Sequence, residues 1–171
     1  MRALVVFESI FGNTSKVANA VAEGLAEQFR VDVVAVGDAA AVVDNDVDLL
    51  VVGGPTHGWG LSRPDSRRGA VRQQPELAAS LDFGLREWLA SMATPDKVAT
   101  AAFDTRLNRP RWITGLAARA AAKHLRRRGS RVIAVESFLV AGTPGPLCDG
   151  EIDRARRWGT GLDHMLASSR R

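Results

Sequence analysis

Short apolar runs alternate with stretches of helical period along the whole chain. Ala3-Leu4-Val5-Val6-Phe7 is apolar at every position, which suits a strand covered on both faces, as in a parallel sheet. Val17, Val21, Leu25 and Phe29 then recur every four residues beside Ala18, Ala22 and Ala26, predicting an amphipathic helix from about Asn13 to Gln28. Val31 to Val36 and Val47 to Val52 read as the second and third strands, the latter stopping at Gly53-Gly54-Pro55. Leu81, Leu85, Trp88, Leu89 and Met92 mark a helix capped at Asp82, and Val98 to Phe103 a fourth strand. Trp112, Leu116 and Leu125 mark a helix reaching Arg128, where Gly129 stops it. Arg131 to Val140 is a fifth strand whose Glu136-Ser137 suits a sheet edge or a bulge. Ile152, Ala155, Gly159, Leu162 and Leu166 describe a closing helix. Five strands alternating with helices predict one doubly wound α/β domain over residues 1–171, with right-handed crossovers.

Ligands of such sheets bind beyond the carboxyl ends of the strands, where the strand order reverses. After the first strand comes Glu8-Ser9-Ile10-Phe11-Gly12-Asn13-Thr14-Ser15-Lys16, a set of hydroxyls and a glycine leading into a helix N-terminus. That is phosphate-cradle chemistry, because free N–H groups and the helix dipole favour an anion. Neither the lysine loop GxxxxGK[ST] nor GxGxxG is present, so the chain supports neither a nucleoside triphosphatase nor an ordinary dinucleotide site. After the third strand comes Gly53-Gly54-Pro55-Thr56-His57-Gly58-Trp59-Gly60, and after the fourth Phe103-Asp104-Thr105-Arg106.

Together these three loops resemble the flavodoxin family. The stretch Val5 to Ala18, with Ser9, Gly12, Asn13 and Thr14 in place, is similar to that family's phosphate loop nearly position for position. The resemblance implies a flavodoxin-like five-stranded parallel sheet of order 2-1-3-4-5 with FMN between strands one and three. It implies that Ser9, Gly12, Asn13, Thr14 and Ser15 surround the FMN phosphate with hydroxyls and N–H groups, with Phe11 among the cofactor-binding residues. It further implies that Thr56, after Pro55 of the cofactor-binding set, sits near the ribityl chain, that His57 stands where an aromatic residue flanks the isoalloxazine, and that the Gly58 carbonyl can turn toward N5. Phe103, Asp104 and Thr105 complete the expected cofactor-binding set. Carrier flavodoxins close the ring with a tyrosine, whereas this chain has none, so Trp59 or Phe103 is expected to supply that wall.

Charge shifts the functional reading. Lys and Arg together number 23 against 19 Asp and Glu, a net charge of +4, whereas carrier flavodoxins are usually strongly acidic. The expected function is therefore a small FMN-dependent oxidoreductase passing electrons from NAD(P)H or a reductase to a quinone-like or protein acceptor. An electron carrier, and a flavodoxin-like module that has lost flavin and binds a partner, stay open beside it. Arg63, Arg67, Arg68 and Arg72 follow the presumed flavin loop and are candidates for an anionic substrate or for a solvated loop. Arg119, Lys123, Arg126, Arg127, Arg128 and Arg131 crowd a helix end, where cations complement the dipole.

Other classes fit less well. Apolar residues at 46% and charged ones at 25% are ordinary globular values. The lone Cys148 allows no internal disulfide, and no His/Cys cluster suggests a metal. The N-terminal apolar run is short for a signal peptide and no run is long enough for a membrane span, so a cytoplasmic location is expected. Nucleic-acid binding lacks a recognisable reading module, and attraction to anionic lipid rests on charge alone. Cys148 and Arg154 have the C-x5-R spacing of a thiolate phosphatase, but the three acids between them would repel phosphate. A receiver domain would need an aspartate where Gly53-Gly54-Pro55 stands, and a serine hydrolase a G-x-S-x-G elbow that is absent.

Overall fold

The computed structural model describes residues 1–58, 60–73, 83–93 and 98–169. Along the chain run β1 (Arg2–Phe7), α1 (Asn13–Leu25), β2 (Arg30–Ala35), β3 (Leu49–His57), β4 (Gly60–Leu61), α2 (Pro64–Gln73), α3 (Leu85–Ser91), β5 (Ala99–Leu107), α4 (Arg111–Thr114), α5 (Ala117–Arg127), β6 (Arg131–Val140) and α6 (Glu151–Ser168). The parallel sheet has the order β2-β1-β3-β5-β6, with β4 pairing antiparallel to the end of β3. With that two-residue strand set aside, the order is the predicted 2-1-3-4-5.

The fully apolar runs are central because helices cover both faces. On one face Ala3, Val5, Val51 and Phe103 pack with Val17, Val21 and Leu25 of α1 and Leu162 of α6. On the other, Val6, Leu50 and Val52 meet Trp88 and Leu89 of α3 and Leu125 of α5. β6 lies at the sheet edge, as its polar pair suggested, but the bulge falls elsewhere. Val132 pairs with Thr100 and Ala134 with Ala101, so Ile133 is the extra residue.

Three boundaries differ from the sequence reading, the first being that of β3, which runs on through Gly53-Gly54-Pro55 to His57. β5 runs four residues past Phe103, because Asp104 to Leu107 continue the ladder with Ser137 to Val140. The expected loop after the fourth strand is therefore strand. The expected helix through Trp112 and Leu125 is two helices, broken where Gly115 adopts φ 73° and Leu116 is extended. Of the third helix, Leu81 and its expected cap Asp82 lie outside the described residues; from Leu85 the helix forms as expected, with the Glu87 carboxylate accepting the Gly84 N–H at 2.9 Å.

α1 and α6 approach until backbone touches backbone. A Cβ on Gly24 would stand 2.1 Å from the Arg156 carbonyl oxygen, and one on Gly159 2.3 Å from that of Val21. Arg156 clamps the pair by bonding Glu23 at 2.7 and 2.9 Å. Gly161, on the same helix, has open space where a Cβ would go. Gly159→Ala is therefore expected to lower stability by roughly 1–3 kcal/mol through forced separation of the helices. Gly161→Ala should raise it by up to about 1 kcal/mol through helix propensity. Urea unfolding of the two variants should move in opposite directions; equal shifts would remove the close-contact explanation.

Candidate cofactor site

The carboxyl ends of β1, β3 and β5 meet around a cavity of about 360 Å³. Its walls come from Phe11 and Asn13 after β1, from Thr56, His57 and Gly58 at the end of β3, and from Ser66, Gly69 and Ala70 of α2. Thr105, Arg106 and Leu107 of β5 and the loop Gly142-Thr143-Pro144 after β6 close it. Topology explains the convergence: in a doubly wound sheet, crossovers leave in opposite directions on either side of β1 and β3, opening a crevice there.

The loop from Glu8 to Gly12 is held on two sides. The Glu8 N–H bonds the Gly53 carbonyl at 2.9 Å, continuing the β1–β3 ladder. Gly12 turns with φ 84°, a left-handed conformation that favours glycine, and its carbonyl accepts the Lys16 N–H at 3.1 Å to start α1. Ser9 Oγ accepts the Ser15 N–H at 3.2 Å, and Asn13 Nδ2 donates to the Pro144 carbonyl at 2.6 Å. Thr14 and Thr105, both buried, share a hydroxyl–hydroxyl bond of 2.8 Å. That bond ties α1 to β5, so the Thr14 hydroxyl is turned to its partner threonine behind the cavity wall.

Behind His57 lies a buried polar network. Glu8 is 5% exposed; its Oε2 accepts the Leu85 N–H at 2.8 Å and its Oε1 the Ser62 hydroxyl. Ser62 Oγ in turn accepts from Arg67 Nη1 at 2.9 Å, and Arg67 Nη2 pairs with Glu87 at 3.0 Å. Gly84 is required at the crossing, since a Cβ there would stand 2.4 Å from Arg67 Nη1 and 2.7 Å from Glu8 Oε2. Burial lowers the His57 pKa from its ordinary value, Arg67 reinforces that, and Glu8 opposes it. The imidazole is thus neutral at neutral pH.

The cavity takes in Phe11, Asn13, Thr56, His57, Gly58 and Thr105 of the expected cofactor residues. Ser9, Gly12, Thr14 and Ser15 shape the loop behind it, and Pro55 pairs with Thr105 in the sheet. Trp59 lies outside the described residues. Phe103 is corrected: its ring is in the core, edge-on to Phe138 and Trp158, and fills the space a Gly53 side chain would need. Asp104 is also away from the cavity wall. It is fully buried, and with Thr56 it caps α5: Asp104 Oδ2 accepts the Ala118 N–H at 2.8 Å and Thr56 Oγ1 the Ala117 N–H at 3.0 Å.

The basic cluster after the flavin loop is corrected too. Arg67 is 3% exposed and structural, while Arg63, Arg68 and Arg72 are exposed, Arg68 pairing with Asp65 at 2.6 Å. In the second cluster Arg128 donates to the carbonyls of Met92 and Ala90, and Arg131 to that of Ser169. These cations finish the ends of neighbouring helices. Arg154 bonds Glu151, Glu136 and the Ser137 carbonyl and lies over the Phe138 ring, so no phosphate cradle forms around Cys148.

Sequence reasoning missed Arg106, the α2 face and the loop after β6. Ser66, Gly69 and Ala70 stand at i, i+3 and i+4, a small-residue face that was readable as a wall against a ligand. Arg106 carried a signal in being the one cation within a buried strand, obscured because that stretch was read as loop.

Residues 5–79 match the family model for flavodoxin. That stretch is similar to flavodoxins, and the whole chain shares their fold. An archaeal flavodoxin superposes with a TM-score of 0.64 at 18% identity, covering 98% of this chain and 99% of its own. Flavodoxin 1 of Bacillus cereus gives 0.63 at 17%, with 98% of each chain covered. The flavodoxin of Streptococcus pneumoniae TIGR4 gives 0.64 at 19%, covering 99% of each. No curated protein sequence matches the chain. Proteins of the flavodoxin family bind FMN. Among the described residues no helix is long and apolar enough to cross a membrane.

Burial raises the Asp104 pKa, against the opposing pull of the Ala118 N–H, the Ser137 and Thr56 hydroxyls and the Arg106 charge. The folded state therefore holds this proton more tightly than the unfolded chain, and the stability contributed by Asp104 falls as pH rises through its folded pKa. Asp104→Asn keeps an acceptor for Ala118 and has no such titration. The stability of the variant relative to the parent is expected to increase with pH across that window, read by urea unfolding from acid to neutral pH; a pH-independent difference would show that the carboxyl is not strained by burial.

Proposed function

We propose that the chain binds FMN in the main cavity and works as a small oxidoreductase, passing electrons from NAD(P)H or a reductase to a quinone-like or protein acceptor. The observation that carries the reading is the meeting of Phe11 and Asn13 with Thr56, His57 and Gly58 around one cavity beside the α1 N-terminus. The residues suit FMN in chemical type. The first N–H groups of a helix have no acceptor inside it; the Ser15 N–H is taken by Ser9, and the turn at Gly12 leaves the start of α1 open to a phosphate. Gly58, with φ 51° and open space where a Cβ would go, offers backbone that a flat ring can approach.

When bound, FMN supplies electron and hydride transfer. The chain's part is to hold and shield. His57 presents an uncharged imidazole, kept so by burial, and the buried network of Glu8, Ser62 and Arg67 fixes the segment behind it. Beside the main cavity lies a smaller one of about 210 Å³, which shares Thr56, Gly58 and Leu107 with it and adds Arg109, Ile113 and Thr114. The excess of cations, with exposed Arg109 lining the smaller cavity, favours an anionic or acidic electron donor over a basic one.

The absorption spectrum of natively purified protein, followed by titration of the apoprotein with FMN, tests the reading. A flavin spectrum or saturable one-to-one binding is expected, and then oxidation of NAD(P)H with a quinone acceptor. Binding without such turnover would leave the carrier role, and no binding in excess FMN would sink the proposal.

A further inference from the structure

A guanidinium carries its charge at any physiological pH and is rarely buried without a carboxylate or a ligand anion beside it. Arg106 is such a case. It sits near the end of β5, opposite Leu139 of β6, with 8% of its surface exposed. Nη1 donates to the carbonyls of Leu107 at 3.2 Å and Arg109 at 2.8 Å, while the buried Nε–H has no acceptor. Among the described residues no carboxylate is within ion-pairing distance of it. Asp104 and Glu151 feel its charge without pairing with it: Asp104 gives Oδ2 to the Ala118 N–H and leaves its buried Oδ1 without a hydrogen bond, and Glu151 is taken by Leu139 and Arg154. Arg106 is also one of the residues that line the cavity at the strand ends, with Asn13, Thr56 and Thr143.

We propose that Arg106 is the counter-charge for an anionic group of the bound cofactor. The proposal rests on the FMN reading above and goes beyond it: the family resemblance implies a cradle of hydroxyls and N–H groups, whereas this chain adds a buried cation. Two parts of FMN carry or acquire negative charge, the phosphate permanently and the ring on reduction. Pairing with the phosphate strengthens binding in both redox states and leaves the potential unchanged. Pairing with the ring favours the reduced state alone and raises the potential, since a residue shifts an equilibrium only by its differential interaction with the two states.

The test compares apoprotein with Arg106→Gln and Arg106→Lys, measuring dissociation constants for FMN and for riboflavin, which lacks the phosphate. The midpoint potential of bound FMN and the melting temperature are measured alongside. If the phosphate is the partner, Arg106→Gln weakens FMN about tenfold or more and riboflavin hardly at all, while Arg106→Lys keeps most of the affinity. If the ring is the partner, oxidised FMN and riboflavin bind nearly as before and the midpoint potential falls by about 30 mV for each tenfold loss of preference for the reduced form. Unchanged affinities and potential in Arg106→Gln would overturn the proposal. So would equal losses in both variants that track a lower melting temperature, for then the side chain only ties down the Arg109 loop. A parent protein that binds neither flavin brings down the FMN reading and this proposal together; a parent that binds FMN beside an unaffected variant brings down only the latter.

Discussion

A carboxylate removed from water must be satisfied by the protein, and in this molecule the geometry around the cavity depends on Glu8 meeting that demand. Its two oxygens take the Leu85 N–H at the start of α3 and the Ser62 hydroxyl before α2. Ser62 brings in Arg67, and Arg67 brings in Glu87. One side chain at the end of β1 thereby fixes two helices far away in sequence, and α2 carries the small-residue wall of the cavity. Breaking such a network at one member leaves uncompensated charge and costs on the order of 3–5 kcal/mol. The absence of a side chain on Gly84 is part of the same constraint, because the space is filled by the atoms that make these bonds.

The second organising device is polar contact between the ends of strands and the starts of helices. Thr56 and Asp104 leave the sheet to cap successive N–H groups of α5, and Thr14 meets Thr105 across the β5–α1 seam. Each of these side chains was a natural candidate for cofactor contact, because hydroxyls and acids at the ends of parallel strands are what phosphate and ribose require. Several instead hold the scaffold: the hydroxyls of Thr56 and Thr105 are engaged with α5 and α1 although both residues line the cavity, and Asp104 does not line it. A hydroxyl at a strand end serves whichever N–H or ligand lies nearest, and sequence spacing does not say which that is.

Charge follows the same division. An arginine-rich chain invites a binding surface at every cluster, yet Arg67, Arg128, Arg131, Arg154 and Arg156 are occupied by carboxylates or helix-end carbonyls. Arg106 is different in being buried at the cavity and short of an acceptor. Because Arg106 is buried, its one charge matters more than several on the surface, since screening by water is weak there.

The amino-acid sequence by itself determined the α/β class and the loop after β1, and the order of the sheet followed from the family resemblance which that loop carries. Fully apolar five- and six-residue runs have no stable place except between two helical layers, and a glycine beside hydroxyls before a helix has a narrow set of uses. What only the tertiary structure decided was which polar residues face the cavity. Phe103 stands first in the stretch expected as loop and reads as a ring wall, but β5 continues for four more residues and the Phe103 ring is in the core. Arg67 and Arg68 are neighbours of one charge, yet one is buried in an ion pair with α3 and the other lies at the surface. Periodicity is a local property and survives in the sequence; the partner of a buried polar group is chosen by elements tens of residues away, once packing has excluded water.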